Sequence, residues 1–315
     1  MNTTLFSTRY VTATAHPDRP VVGERALVLG GGGSAGNAWL IGVIAGLLDG
    51  GLDVAAADLV IGTSAGSTAA AQITSASPTA LFGELLAAAP PDPAGPSGSA
   101  RAPATRGPVV DQLRRTSAII AAATDAADVR RRLGAAALEL EAASDGSWPR
   151  RWRATVGARL PNQQWPPGAL RITAVDAHTG EPVVLDRYSG VDLVDAVAAS
   201  TASGLPYRIG ESRYLDGGYR RSSENADLAA GYGRVLVLSP LGGRTRMPLE
   251  WDMQLSAQVD ELRAGGSRVG SILPDTDSRD AIGSNLMDPS SRPPAARAGH
   301  AQGRSVAEQL ADFWR

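Results

Sequence analysis

Two glycine-rich turns about thirty residues apart set the limits on what this chain can fold into. The first reads Gly30-Gly31-Gly32-Gly33-Ser34-Ala35-Gly36 and follows the apolar run Ala26-Leu27-Val28-Leu29. The second reads Gly62-Thr63-Ser64-Ala65-Gly66 and follows Leu59-Val60-Ile61. Short apolar runs that end in glycine read as buried strands closed by tight turns. Between the turns, Asn37–Asp49 carries apolar residues on every side (Ala38, Trp39, Leu40, Ile41, Val43, Ile44, Leu47 and Leu48) and reads as a central buried helix. The order strand, turn, helix, strand, turn, helix predicts an α/β unit with two parallel strands. Both turns then lie at one sheet edge, where open α/β sheets keep their ligands.

The downstream chain supplies further elements. Leu170–Val175 and Pro182–Asp186 read as a hairpin with His178 in its turn, followed by a helix at Val191–Ala199. Pro206–Ile209 and Arg213–Leu215 form a second hairpin that runs into Asp216-Gly217-Gly218. A strand at Arg234–Leu238, a helix near Leu249–Arg263, a strand at Val269–Leu273, a polar Pro-rich link at 275–294 and a helix at Ala295–Phe313 complete the reading. Two segments fall outside this pattern. Residues 1–23 form a polar leader, and Ala87–Pro108 is too rich in Pro and Gly for a regular element. The leader lacks the apolar core of a secretory signal. The helical stretch 109–143, with Val109, Leu113, Ile119, Ile120, Val129, Leu133, Leu138 and Leu140 as its apolar set, extends the second segment into a cover. Its apolar face is expected to meet an acyl chain or a membrane, and Arg130-Arg131-Arg132 to be a solvated face. The domain reading is therefore a leader at 1–23 and a single domain at 24–315, with the loop and helical cover at about 87–143.

Composition removes several chemistries. There is no cysteine, hence no disulfide and no thiolate. Three histidines, His16, His178 and His300, are too few and too scattered for a histidine-rich metal site. A net charge of −2 gives no reason to expect nucleic acid. The longest near-apolar run, Ala38–Leu48, falls short of the roughly 20 residues that cross a bilayer. The expectation is a cytoplasmic protein, with peripheral membrane contact compatible with it.

Two chemistries suit the first turn. Gly31-Gly32-Gly33-Ser34-Ala35-Gly36 fits Gly-x-Gly-x-x-Gly, which would make the protein a binder of nucleotide phosphate. That fingerprint wants an acidic residue at the end of the second strand, and Ile61-Gly62-Thr63-Ser64 stands there instead, with Asp58 at the wrong edge. The second turn is Gly-x-Ser-x-Gly between strand and helix, the setting of a nucleophile elbow. Gly62 and Gly66 make room for the sharp turn, and Ser64 is presented on it. A serine needs a base. Neither His178, in a hairpin turn, nor His300, near the start of the last helix, stands in a catalytic context, whereas Asp216 ends a strand ahead of two glycines and can accept the proton. The backbone N–H groups of Gly31, Gly32 and Gly33, with that of Ala65 at the start of the following helix, are then the candidate oxyanion donors.

These three pieces in this order resemble the patatin-like phospholipases. The segments Asn225-Ala226-Asp227-Leu228 and Arg234-Val235-Leu236-Val237-Leu238-Ser239-Pro240 are similar to bacterial members. The resemblance implies a three-layer α/β fold, its mostly parallel central sheet flanked by helices, related to the α/β hydrolases. It implies hydrolysis of lipid acyl esters by a Ser–Asp dyad, without metal or organic cofactor. Carried over by position, Ser64 is the nucleophile, Asp216 the base, Gly31, Gly32 and Gly33 the oxyanion donors, and Gly217 and Gly218 the motif glycines. Two departures stand out. Ala35 occupies a position where the family often carries Arg or Lys, and Ser200-Thr201-Ala202-Ser203-Gly204-Leu205-Pro206 is a stretched form of the family's Ser-x-Ala-x-Pro.

Overall fold

The computed structural model describes residues 23–87 and 108–315. Residues 1–22 of the leader, with His16, and 88–107 of the Pro/Gly-rich loop lie outside the described residues. Strand β1 (Gly23–Leu29) leads into α1 (Gly33–Asp49), then β2 (Leu59–Gly62), α2 (Ala65–Ile73) and α3 (Pro78–Ala87). Further along the chain come α4 (Pro108–Ala122), α5 (Ala126–Ala142) and α6 (Trp148–Gly157). The chain then forms β3 (Ala169–Asp176), β4 (Pro182–Leu185), α7 (Leu193–Ser200), β5 (Tyr207–Ile209) and β6 (Ser212–Asp216). It closes with β7 (Tyr232–Leu238), α8 (Leu255–Ala264), β8 (Arg268–Ile272), α9 (Thr276–Ile282) and α10 (Arg292–Trp314).

The strands form one eight-stranded sheet in the order β5-β6-β3-β2-β1-β7-β8, with β4 also paired to β3. The sheet is mixed. Strands β3, β2, β1, β7 and β8 run parallel, while β4 and β6 run against β3 and β5 against β6. Helices cover both faces, which gives three layers. The alternation along β1 shows why its residues read as a continuous apolar run. Leu27 and Leu29 face α1 and α10, whereas Ala26 and Val28 face α8. A strand covered on both sides has no polar face to keep.

The sequence places α1 correctly, but the helix starts at Gly33 rather than Asn37. The glycine turn is therefore shorter, and its last glycines are the first turn of the helix. Helix α1 lies between the sheet and α10, and glycines line the second contact. A Cβ on Gly42 would overlap Ala296 O, one on Gly46 would overlap His300 O, and one on Gly303 would overlap Val43 O. The two backbones touch where side chains would hold them apart. The expected link at 275–294 is likewise more ordered than its composition suggests. It contains α9, capped by the Asp275 side chain on Ser278 N–H, and Leu286 O accepts the N–H of Ala35.

The α5 part of the expected cover needs correcting. Helix α5 buries Val129, Leu133 and Ala137 against Val175 and Ala177 of the β3 end and Leu215 of β6. That apolar face is spent on the protein's own core and is not free for an acyl chain. Nor is Arg130 part of a solvated face. It donates from Nε to Gly180 O (2.8 Å) and from Nη1 to Arg220 O (3.1 Å), tying α5 to two turns. Arg131 and Arg132 do pair at the surface, with Asp128.

The close α1–α10 contact predicts that Gly46→Ala, although it raises helix propensity, destabilises the protein by about 1–3 kcal/mol, because overpacking must push two backbones apart. The midpoint of urea unfolding checks this; an unchanged or higher midpoint would show that the helices part freely.

Candidate active site

The site is built where strands of opposite sense converge. Leu29 of β1 is in register with Gly62 of β2, so both glycine turns leave the sheet at one level. Gly62 is in turn level with Ile172 of β3. Strand β6 runs against β3 and places Asp216 opposite Ala174, two residues further along. Its C-terminal end thus arrives beside the turn that follows β2.

That turn is tight enough to dictate its residues. A Cβ on Gly62 would overlap Ser67, and one on Gly66 would overlap Leu29 O. Between them Ser64 has φ 53° and ψ −121°, a left-handed value that a side-chain-bearing residue seldom takes. The turn is held by Ser64 N–H donating to Ser200 Oγ (2.9 Å) and by Ser67 Oγ–H donating to Ser64 O (2.6 Å). The outcome is a partly exposed hydroxyl. Ser64 Oγ donates to Asp216 Oδ2 at 2.8 Å.

Asp216 is 7% exposed. Its other oxygen, Oδ1, accepts from Gly218 N–H (2.8 Å), and its own N–H donates to Ala202 O (2.8 Å). Gly217 is pressed onto β3 so closely that a Cβ there would overlap Thr173. Burial pushes the Asp216 carboxyl up to about 6, against the smaller downward pull of Gly218 N–H and the Ser64 hydroxyl.

The oxyanion candidates divide. Gly31 N–H donates to Ser223 O at 2.8 Å and is no longer free to bind a developing charge, which removes Gly31 from the donors. The residue still matters for approach, since a Cβ there would come within 3.3 Å of Ser64 Cβ. Among the described residues, the N–H groups of Gly32, Gly33, Ser34 and Ala65 have no hydrogen-bond partner. They belong to the turns that open α1 and α2, where helices leave N–H groups unpaired.

Both later histidines lie away from this cluster. His178 is exposed in the β3–β4 turn. His300 stacks on Phe82 (ring centroids 4.5 Å apart) and meets Asp49 Oδ2 at 2.8 Å, at the end of α1 opposite Gly33. Ala35 is fully buried in the first turn of α1, a place with no room for a solvated cation. No group of three or more His, Cys, Asp or Glu that could hold a metal ion occurs among the described residues. None of their helices is long and apolar enough to cross a membrane.

Ser200, Asn225 and Ser223 were not singled out from the sequence as site residues. The stretched Ser200–Pro206 segment was the available signal: Ser200 Oγ holds the elbow and Ala202 O holds the N–H of Asp216.

Of the comparisons with known proteins, one reaches the level of family. A search of curated proteins returned no match. Among solved structures, the crystal structure of VipD from Legionella pneumophila is similar at 14% identity and a TM-score of 0.39, over 94% of this chain and 68% of that one. A likeness that distant carries no argument about the site. The sequence model of the patatin-like phospholipases matches residues 27–230, from β1 to beyond the turn after Asp216. That is well over half of the chain, and it places the protein in the patatin-like phospholipase family.

Proposed function

We propose that the protein is a serine acyl hydrolase that cleaves carboxylic ester bonds of lipids, with Ser64 as nucleophile and Asp216 as its base. The observation that carries this is the 2.8 Å hydrogen bond from a strained, partly exposed serine to a buried aspartate. In this reading Asp216 takes the hydroxyl proton as Ser64 Oγ attacks the ester carbonyl carbon. The N–H groups of Gly32, Gly33 and Ala65 receive the oxyanion. Asp216 returns the proton to the leaving alkoxide, and the acyl group stays on Ser64. Water, deprotonated by the same carboxylate, then releases the acid. Neither metal nor organic cofactor takes part in these steps. Phospholipids, lysophospholipids and simpler glycerides all fit the chemistry, and profiling across them would assign the substrate. The nucleotide reading gains no support, because β2 ends at Gly62 without the carboxylate a ribose needs.

Burial of Asp216 serves the mechanism. A carboxylate near 6 is still ionised at neutral pH, yet it is a stronger base than an ordinary one near 3.8. The same shift costs stability. The folded state keeps this proton up to about pH 6, while the unfolded chain releases it near 3.8. The native state therefore binds more protons across that interval, and stability falls as pH rises through it.

A fluorophosphonate probe should label the wild type and not Ser64→Ala. Asp216→Asn should lower turnover at least about 100-fold, while His178→Ala and His300→Ala retain it; labelling of the alanine variant at Ser64, or loss of turnover in a histidine variant, would overturn the dyad. For the wild type, kcat/KM should fall about tenfold per pH unit below about 6, as Asp216 takes up its proton. Finally, Asp216→Asn should be more stable than the wild type at pH 7.5, by up to about 3 kcal/mol, with the gain shrinking as pH falls below about 6 and largely gone by pH 4. Thermal melts at the two pH values measure it, and a variant less stable than the wild type at pH 7.5 would contradict a strained buried charge.

A further inference from the structure

We propose that Asn225 is a positioning residue that acts on the Asp216 carboxylate through the Gly217–Gly218 peptide, and that it locks the turn carrying the base to the turn carrying the nucleophile. This rests on the Ser64–Asp216 reading above.

Asn225 is fully buried and left-handed, with φ 54° and ψ 43°. Asparagine is among the few residue types that take this conformation readily. The twist carries its amide to three elements at once. Nδ2 donates to Gly217 O (2.9 Å), to Thr63 Oγ1 (3.0 Å) and, at longer range, to Thr173 Oγ1 (3.3 Å). Thr63 is the neighbour of Ser64, and Gly217 the neighbour of Asp216. On its other side, Asn225 Oδ1 accepts from Arg220 Nη1 (3.2 Å). Arg220 is itself fixed by a two-pronged pair with Asp227, both contacts at 2.9 Å. This arrangement settles which end of the amide faces Gly217.

The carbonyl of Gly217 and the N–H of Gly218 belong to one peptide group. Gly218 N–H donates to Asp216 Oδ1 at 2.8 Å. A donor on the carbonyl polarises the peptide and strengthens its N–H as a donor in turn. Asn225 therefore helps to stabilise the ionised carboxylate, against the burial that disfavours it. The neighbouring groups do not duplicate this action. Ser64 and Thr173 are neutral. The Tyr219 phenol is held protonated by burial, with Thr116 and Gln112 of α4 at its hydroxyl and Arg246 further out. The Arg220–Asp227 pair lies beyond the Asn225 amide. The carboxyl of Glu224, pushed up by burial, is occupied by the hydroxyls of Ser222 and Ser239.

The adjoining residues hold the remaining part of the site. Ser223 O accepts the N–H of Gly31. The stretch 222–225 thus touches the first glycine turn, the elbow and the base turn together.

Asn225→Gly is the decisive variant, because glycine keeps the left-handed backbone and only the amide is lost. Asn225→Asp keeps the volume but replaces the donor with an acceptor facing Gly217 O. Ester hydrolysis would be followed against pH, with the concentration of competent enzyme set by fluorophosphonate titration so that misfolded protein is not counted. In Asn225→Gly, kcat should fall about tenfold with KM within about twofold, and the acid limb should move up by about half a pH unit. In Asn225→Asp the limb should move further. An acid limb at the wild-type position in the titrated variants would overturn the proposal even if kcat fell, since that pattern marks a merely structural role. The outcome is separable from that of Ser64→Ala, which tests the dyad itself.

Discussion

The hydrogen bond between Ser64 and Asp216 depends on a meeting of two strands that no local sequence signal arranges. Strand β2 delivers the serine from a parallel part of the sheet, and β6 delivers the aspartate from the antiparallel edge. Strand β3 pairs with both and sets their relative level. A slip of one residue in either pairing would turn Asp216 to the opposite face, because side chains alternate along a strand. The register is secured by packing: Ile172 and Ala174 of β3 are buried on one face, and Val175 on the other.

Close approach of backbones is the second constraint. The site and the α1–α10 contact both use glycine where a Cβ would meet a neighbouring main chain, as at Gly66 against Leu29 and Gly217 against Thr173. The compactness that results is what excludes water from Asp216. A buried carboxylate with few donors is a costly group. Here it has one backbone N–H and one hydroxyl, and it keeps a raised affinity for protons that suits a base. With Asp216 as the proposed base, stability and reactivity at this residue are opposed, as is common where function sets the environment.

Much of this was legible in the sequence. The two glycine turns after apolar runs located β1, β2 and the edge of the sheet, and Asp216-Gly217-Gly218 after a hairpin located the third turn. The elements not legible there are those whose cues are weak. Helix α9 lies in a polar stretch with few apolar residues, and α6 opens on Trp148-Pro149 after a loop. The supporting residues escaped for a different reason. Ser200, Ser223 and Asn225 are ordinary in type, and their partners are distant in the chain, as with Ser200 and Ser64. Ser223 acts through its carbonyl, which every residue has, so side-chain chemistry could not single it out.

The sequence by itself determined the strand–turn–helix units, the glycines that each turn requires and the residue types able to act as nucleophile and base. These depend on local sterics and short-range periodicity, which neighbours in the chain control. The tertiary structure alone decided which amides remain free. Gly31 and Gly32 are the same residue in the same run, yet Ser223 O occupies the N–H of Gly31 and leaves that of Gly32 unpaired among the described residues. It likewise decided that α5 faces the core and that His300 belongs to Asp49 and Phe82 rather than to Ser64. Hydrogen bonds and burial are set by what approaches from remote parts of the chain, and composition carries no record of that approach.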